Sequence, residues 1–193
     1  MLLNYDYYSD MLYLYSWLFL KVKTVDILNL ILIIVAVAAA FFAWSQIFGA
    51  PWWPTPYRTV RRMLELARIK PGEKVYDLGS GDGRIIIEAA RLFGARATGI
   101  EIDPIRYFYT QIRILRWRLR DRVHVLLGNF FYKDLSEADV VMIYLLQDTN
   151  LKLIRKFIRE LRPGTRIVTN TFTLPGMKII RQNKKDQIYV YKI

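Results

Sequence analysis

Hydrophobic positions after residue 56 recur in two alternating patterns. Short apolar runs predict β-strands, whereas apolar residues spaced three or four positions apart predict helices. The predicted strands are 74–78, 96–101, 122–127, 138–144 and 165–172, and the predicted helices are 57–68, 84–93, 104–119 and 148–161. Two closing strands, 177–181 and 187–192, flank the polar turn 182–186 and predict an antiparallel hairpin. The pattern therefore predicts an α/β fold: a doubly wound, Rossmann-like, mostly parallel sheet with this hairpin at its edge.

The N-terminal part follows a different pattern, because no charged residue occurs between Ile27 and Phe48. A helix of this length rises about 33 Å, which is enough to cross the hydrocarbon core of a bilayer. We therefore expect an interfacial segment at 1–24, a single transmembrane helix at 25–49 and a globular domain at 50–193. A helical hairpin that crosses the membrane twice, a buried core helix and, less favoured, a signal peptide are the alternatives.

Charge is distributed unequally between these parts. Residues 1–49 carry two lysines and three aspartates, whereas the whole chain has a formal charge of +12. Arginines follow the apolar run closely and only two lysines precede it, which favours a cytoplasmic location for the globular domain. The lipid bilayer is thus an expected partner. With no cysteine and a single histidine, the sequence argues against disulfides and a catalytic metal.

The segment Asp77–Arg84, with the sequence DLGSGDGR, joins the first predicted strand to the helix after it. Its glycines permit positive φ angles and a close approach of ligand to backbone. The carboxyl end of the first strand is also the usual place for a nucleotide-like cofactor in such a sheet. The dinucleotide pattern G-x-G-x-x-G is not matched, and Asp82 would repel a phosphate. The segment therefore favours a ligand without phosphate whose cationic amino-acid end faces Asp77.

An acidic residue at the end of the second predicted strand supports this hypothesis. Glu101 follows Gly79 by 22 residues, near the spacing at which a carboxylate accepts hydrogen bonds from ribose hydroxyls. A ribose and an amino acid without phosphate indicate S-adenosylmethionine. The alternative is a structural glycine turn with an ordinary surface glutamate.

The segment after the second predicted strand is basic and aromatic, with five arginines, Trp117 and two tyrosines between residues 106 and 120. Such a composition occurs in nucleic-acid-binding proteins. Attraction to anionic lipid headgroups is the simpler explanation beside a membrane anchor, and a solvated basic face is the other alternative. We expect no nucleic-acid partner.

Several segments resemble small class I (seven-β-strand) methyltransferases, above all the archaeal broad-specificity protein-lysine methyltransferases. These segments are Pro54–Pro56, Arg61–Glu65, Val75–Arg84, Gly128–Phe131, Ser136–Ala138, Leu145–Leu146 and Leu161–Arg166. Mitochondrial enzymes that methylate a lysine of the ATP synthase c subunit are also similar. The resemblance covers nearly all of residues 54–175.

The resemblance implies which residues bind S-adenosylmethionine and the acceptor. Asp77, Gly79, Ser80 and Gly81 would contact the methionine end of the cofactor, Glu101 the ribose, and Asn129 and Phe130 the adenine. Thr55 and Tyr57 would close the site from the N-terminal side. Tyr144 takes the place where methyltransferases present the acceptor nitrogen. Because an apolar slot would favour the neutral amine, Tyr144 and Phe172 are candidates for its walls, with ordinary core packing as the alternative.

The activity implied is that of a protein-lysine N-methyltransferase with a protein substrate. The expected membrane anchor comes from the apolar run, and this chain departs there from the archaeal soluble members, which lack it. Many amino-group methyltransferases have Asn/Asp-Pro-Pro-Tyr/Phe after the fourth strand, whereas this chain has Ile143-Tyr144-Leu145-Leu146. This difference disfavours methylation of an adenine base. A phospholipid headgroup N-methyltransferase and a non-catalytic membrane adaptor with a methyltransferase fold are the alternatives.

Overall fold

The predicted strands form a single sheet in the computed structural model, which describes residues 5–47 and 54–193. The chain divides into two compact units, Met1–Pro51 and Trp52–Ile193. The first unit contains one long helix, and the second contains the sheet and the helices that cover it.

Helix α1 (Tyr5–Ile47) continues for 43 residues without a break. The predicted segments at 1–24 and 25–49 are therefore not separate helices within residues 5–47, and the alternative of a helical hairpin is wrong there. Residues 1–4, 48 and 49 of these two segments lie outside the described residues.

The predicted transmembrane helix is not found. In the parts of the chain that the structure describes, no helix combines the length and the apolar character that crossing a membrane requires. Side chains at 22–25, 38 and 41–47 lie outside the described part of this apolar region.

Seven strands form the sheet in the order β3-β2-β1-β4-β5-β7-β6. They are β1 (Lys74–Leu78), β2 (Arg96–Glu101), β3 (Val123–Leu127), β4 (Val140–Ile143), β5 (Arg166–Asn170), β6 (Ile179–Asn183) and β7 (Ile188–Lys192). Strands β1 to β5 pair in parallel, and β7 is antiparallel to both β5 and β6. The predicted mostly parallel sheet with an antiparallel edge hairpin is confirmed. The strand order reverses between β1 and β4, where such sheets open a ligand crevice at the carboxyl ends.

Helices cover both faces of the sheet, as the alternation of side chains along a strand requires. They are α2 (Tyr57–Ala67), α3 (Arg84–Phe93), α4 (Pro104–Arg116) and α5 (Gln147–Glu160). In β4, Val140 and Met142 belong to the core shared with α2, α3 and α4. The intervening Val141 and Ile143 belong to the core shared with α5.

Local signals position the loops at the carboxyl end of the sheet. Gly83, with a φ of 73°, precedes α3 in a conformation that L-residues rarely adopt. The carboxylate of Asp103 accepts a hydrogen bond from the N–H of Ile105 at 2.8 Å and caps α4, whose first residue is Pro104.

Candidate active site

The crevice lies where three parallel strands end side by side. Leu78 of β1, Ile143 of β4 and Thr169 of β5 occupy neighbouring register positions. Tyr144 follows β4 directly and Phe172 follows β5 after one residue, and both are half-buried. The fold therefore brings the two predicted acceptor residues to the strand ends beside the loop that follows β1.

That loop, the glycine turn (residues 79–83), is hydrogen-bonded to the second strand. The N–H groups of Gly79 and Ser80 both donate to the Ile100 carbonyl, at 2.9 and 3.1 Å. A Cβ on Gly99 would lie 2.6 Å from Ser80 Oγ, so only glycine permits this close approach. Sequence reasoning missed Gly99, although a glycine within a predicted strand is a known signal of close backbone approach.

Asp77 lies in β1 just before the turn and is buried. Among the described residues, its Oδ2 has no hydrogen-bond partner, and the same holds for the buried Oγ of Ser80. Burial, and then the nearby carboxylates of Glu101 and Asp82, raise the pKa of Asp77 to about 8. A buried carboxyl with an unused acceptor and acidic neighbours is suited to a cationic group.

Glu101 lies buried at the end of β2, and both of its oxygens accept backbone hydrogen bonds. Oε2 accepts from the N–H of Gly81 at 2.7 Å, and Oε1 accepts from the N–H of Asp103 at 2.9 Å. Glu101 thus links the glycine turn to the start of α4, a role that spacing alone did not reveal. Each oxygen keeps a second lone pair, so the ribose contact is compatible with these bonds and stays a prediction.

A charged network connects the turn to the segment before α2. Asp82 forms ion pairs with Arg84 and Arg113, each at 2.8 Å. Arg84 Nη1 donates to the Thr55 carbonyl at 2.6 Å, and Arg113 Nη2 donates to the Tyr57 hydroxyl at 2.7 Å. Thr55 and Tyr57 are therefore linked to the turn, and their closing of the cofactor site stays a prediction. The two arginines neutralise Asp82, which weakens the repulsion of phosphate expected from the sequence.

Asn129 and Phe130 follow β3, which pairs with β2 so that Leu127 lies opposite Glu101. Asn129 Oδ1 accepts a hydrogen bond from the N–H of Phe131 at 2.9 Å and caps a 3₁₀ turn. The rings of Phe130 and Phe131 are 4.9 Å apart. Both predicted adenine contacts thus lie at the same edge of the sheet as Glu101, and their contact with adenine stays a prediction.

Asn150 is a polar residue that sequence reasoning missed. It lies in the first turn of α5, fully buried, and neither atom of its side-chain amide has a partner within the described residues. An unpaired buried amide costs free energy unless a water or a ligand satisfies it. Asparagine near a helix start is common for capping reasons, so nothing in the pattern of residues singled out this position.

Known proteins similar to this chain are methyltransferases. Residues 77–181, more than half of the chain, match the ANTKMT methyltransferase domain. The chain is 41% identical to a protein-lysine N-methyltransferase of Saccharolobus islandicus over 156 residues, which are 77% of this chain and 97% of that protein. It is 29% identical to the ATP synthase c-subunit lysine N-methyltransferase of Homo sapiens, over 65% of this chain and 53% of that protein.

A solved structure supports both the fold and the cofactor predicted for this chain. The RNA methyltransferase from Salinibacter ruber, in complex with S-adenosyl-L-homocysteine, has a TM-score of 0.71 and 41% identity, covering 73% of this chain and 94% of that one. S-adenosylhomocysteine is the product that remains when S-adenosylmethionine has lost its methyl group. The predicted fold, methyltransferase activity and cofactor are confirmed. The chain belongs to the ANTKMT methyltransferase family and uses S-adenosylmethionine as its cofactor.

Proposed function

We propose that this enzyme methylates lysine side chains of proteins. The relatives from Saccharolobus islandicus and Homo sapiens are both named for lysine methylation, and the chain spans almost the whole of the first. The segment Ile143–Leu146 lacks the two prolines found in many enzymes that methylate nucleic-acid amines. The observation that carries the cofactor-dependent part of the proposal is the buried Oδ2 of Asp77, which has no hydrogen-bond partner among the described residues, at the glycine turn.

The described residues fit the cofactor, because the crevice contains polar groups that need a partner. Asp77 Oδ2 and Ser80 Oγ are buried with no partner in the part of the chain that the structure describes, and the methionine end of S-adenosylmethionine offers an ammonium and a carboxylate. The residues proposed to hold the methionine end of the cofactor are Asp77, Gly79, Ser80 and Gly81. Glu101 is proposed to bind the ribose, and Asn129 and Phe130 the adenine. Thr55 and Tyr57 are proposed to close the site from its N-terminal side. When bound, the cofactor supplies a methyl group on a sulfonium that needs no further activation.

The remaining task of the protein is to prepare and align the acceptor amine. A lysine ammonium has an ordinary pKa near 10.4 and no lone pair, so it must lose a proton before transfer. An apolar slot lowers the pKa of that lysine, because burial disfavours the charged form. Tyr144 and Phe172, half-buried at the ends of adjacent strands, are the proposed walls of the slot. Holding the amine in line with the methyl group contributes most of the remaining acceleration.

Methyl-labelled S-adenosylmethionine tests the proposal directly. The purified chain is incubated with the cofactor and a cell lysate that contains proteins, membranes and RNA. We expect label in methyllysine after acid hydrolysis of the protein fraction, and no label with Asp77→Asn. Label confined to the lipid extract would instead support phospholipid headgroup methylation, the alternative considered from the sequence.

RNA methylation is a second candidate, favoured by the 41% identical structure that is described as an RNA methyltransferase. The charge of +12 also suits a polyanionic substrate. The same experiment separates the two candidates, because ribonuclease removes label from RNA and a protease removes it from protein. Label that disappears only with ribonuclease would contradict the lysine proposal.

We also propose that α1 attaches the enzyme to a membrane and that the catalytic domain lies in the cytoplasm. The described side chains from Ile27 to Val37 are apolar except Asn29, and all are exposed along the helix. Membrane fractionation of cells that express the full chain tests the attachment, with Ile31→Lys and Ile34→Lys as the disrupting change. Recovery of the unchanged full chain in the soluble fraction would contradict it.

A further inference from the structure

The outer face of α4 exposes large apolar side chains where a surface helix normally presents polar ones. The exposed fractions are 63% for Ile105, 62% for Phe108, 54% for Tyr109, 61% for Ile112 and 42% for Leu115. Spacings of three and four residues place them on one side of the helix, which we call the α4 outer face. Five exposed apolar side chains in one patch indicate a surface that binds an apolar partner or a membrane.

Positive charge lies at the C-terminal end of the α4 outer face. Residues 104–120 contain five arginines and no acidic residue. Three of the arginines are exposed at the end of the helix and just beyond it, and no ion pair between described residues involves them: Arg116, Arg118 and Arg120. Apolar and aromatic side chains beside unpaired arginines are typical of helices that lie in the interface of an anionic bilayer.

The composition of the α4 outer face favours a lipid surface over the other possible binding partners. A second copy of the chain would place the same arginines against each other, and like charges oppose association. RNA would pair with the arginines and could stack on Phe108, but it would leave Ile105 and Ile112 exposed to water. An anionic lipid surface offers phosphate groups to the arginines and hydrocarbon to the isoleucines at the same time.

The inner face of α4 contacts the glycine turn. Thr110 Oγ1 donates to the Gly81 carbonyl at 2.9 Å, and Arg113 Nη1 donates to the Asp82 carbonyl at 2.5 Å. A surface against the outer face would therefore lie about one helix diameter, roughly 10 Å, from the cofactor loop. We propose that the α4 outer face seats the catalytic domain on an anionic lipid surface, by a contact separate from α1.

A fluorophore on α4 tests this contact locally. The chain contains no cysteine, so Ile112→Cys in the full chain gives a single attachment site for an environment-sensitive dye. The matched control is Ile158→Cys on α5, which is 66% exposed. With vesicles of phosphatidylcholine and phosphatidylglycerol, we expect emission at position 112 to shift to shorter wavelength and rise about threefold. Vesicles of phosphatidylcholine alone should change it little, and position 158 should not respond.

The emission at position 112 does not depend on whether α1 also binds the vesicles, because the dye reports only its own surroundings. No change at 112, or an equal change at 158, would overturn the proposal. A change at 112 that rises with protein concentration without vesicles would identify a second copy as the occupant. A change produced by RNA but not by vesicles would identify a nucleic-acid surface. Either result would replace the lipid proposal.

Removing charge gives a second test of the same contact. In the Ile112→Cys background, Arg116→Gln, Arg118→Gln and Arg120→Gln together should weaken the vesicle response about tenfold. The control removes equal charge from exposed positions elsewhere, with Lys152→Gln, Arg155→Gln and Lys178→Gln. Equal losses in both triple variants would reduce the effect to net charge and contradict a specific α4 surface.

Discussion

The carboxyl and amino ends of the sheet differ in whether their titratable side chains have partners. At the carboxyl end, Asp77 is buried with an oxygen that no described residue satisfies. At the amino end, a cavity of about 480 Å³ has two acidic residues in its lining, and each of them pairs with an arginine of the same lining. There Arg166 Nη2 lies 2.6 Å from Glu73, and Arg162 Nη2 lies 3.6 Å from Asp139.

Two arginines at the amino end bind backbone carbonyls at the end of helix α2. Arg166 Nη1 donates to the carbonyls of Ala67 and Arg68, at 2.7 and 2.8 Å, and Arg181 Nη1 donates to the Leu66 carbonyl at 2.7 Å. These carbonyls end α2 and have no partner within the helix, so the arginines cap it. The partnered arginines thus contribute to the stability of the fold, whereas the buried Oδ2 of Asp77, with no partner among the described residues, supports the proposal that Asp77 binds the cofactor.

Asp77→Asn should produce the largest functional loss. It keeps the shape of the side chain but removes the negative charge, so affinity for S-adenosylmethionine should fall by about two orders of magnitude and turnover should be lost. Isothermal titration calorimetry measures the affinity, with the exposed Asp121→Asn as the matched control. Normal affinity in Asp77→Asn would contradict a ligand-binding role for the carboxyl end of the sheet that the amino end lacks.

Arg166→Met should have the opposite effect, on stability and not on binding. It leaves Glu73 and the carbonyls of Ala67 and Arg68 without their partner, so the free energy of unfolding should fall by about 2 kcal/mol. Urea unfolding measures this change. Arg162→Met, whose side chain is 60% exposed, should cost less than about 0.5 kcal/mol. Weaker cofactor binding with unchanged stability in Arg166→Met would contradict a purely structural role.

The pH dependence of stability sharpens the comparison. The pKa of Asp77 is about 8 in the fold, against an ordinary value of 3.8. A raised pKa means that the fold favours the neutral carboxyl, a contribution that is complete below about pH 4 and lost as pH rises through about 8. Between about pH 6 and about pH 9, the melting temperature of the cofactor-free enzyme should therefore fall relative to that of Asp77→Asn. If the melting temperatures of the two proteins changed in parallel with pH, the raised pKa of Asp77 would be contradicted.

Tyr57→Phe should have the smallest effect. It removes only the hydrogen bond to Arg113, at an exposed position, so cofactor affinity should fall about threefold with stability unchanged. Tyr132→Phe, which changes a more exposed tyrosine, serves as the control. A loss above about thirtyfold would mean that the Tyr57 hydroxyl contacts the ligand itself.

Much of the fold was predictable because its signals are local. The bounds of β1, β2 and α3 match the predictions, because glycines or short apolar runs delimit these elements. Helix α4 ends at Arg116 and not at 119, because Arg118 adopts a left-handed φ of 55°. No glycine or proline at this position indicated the end of the helix in the sequence. The placement of Asp77 and Glu101 at one crevice was predictable from the rule that parallel strands end at the same edge.

The remaining features of the site depend on contacts distant in sequence. Arg113 pairs with Asp82, 31 residues earlier, and no spacing rule connects two such positions. The amide of Asn150 became notable only once its burial was known. The apolar run of α1 predicted a membrane span from composition, and no span is found among the described residues.

Proton release on cofactor binding tests the central role of Asp77 most directly. At pH 7 a carboxyl with a pKa of about 8 is mostly protonated, and a bound cation favours its ionised form. Calorimetric titration with S-adenosylmethionine in two buffers of different ionisation enthalpy gives the number of protons released. We predict release approaching one proton in the unchanged enzyme and none from this group in Asp77→Asn. Equal release and equal affinity in the two proteins would contradict this role.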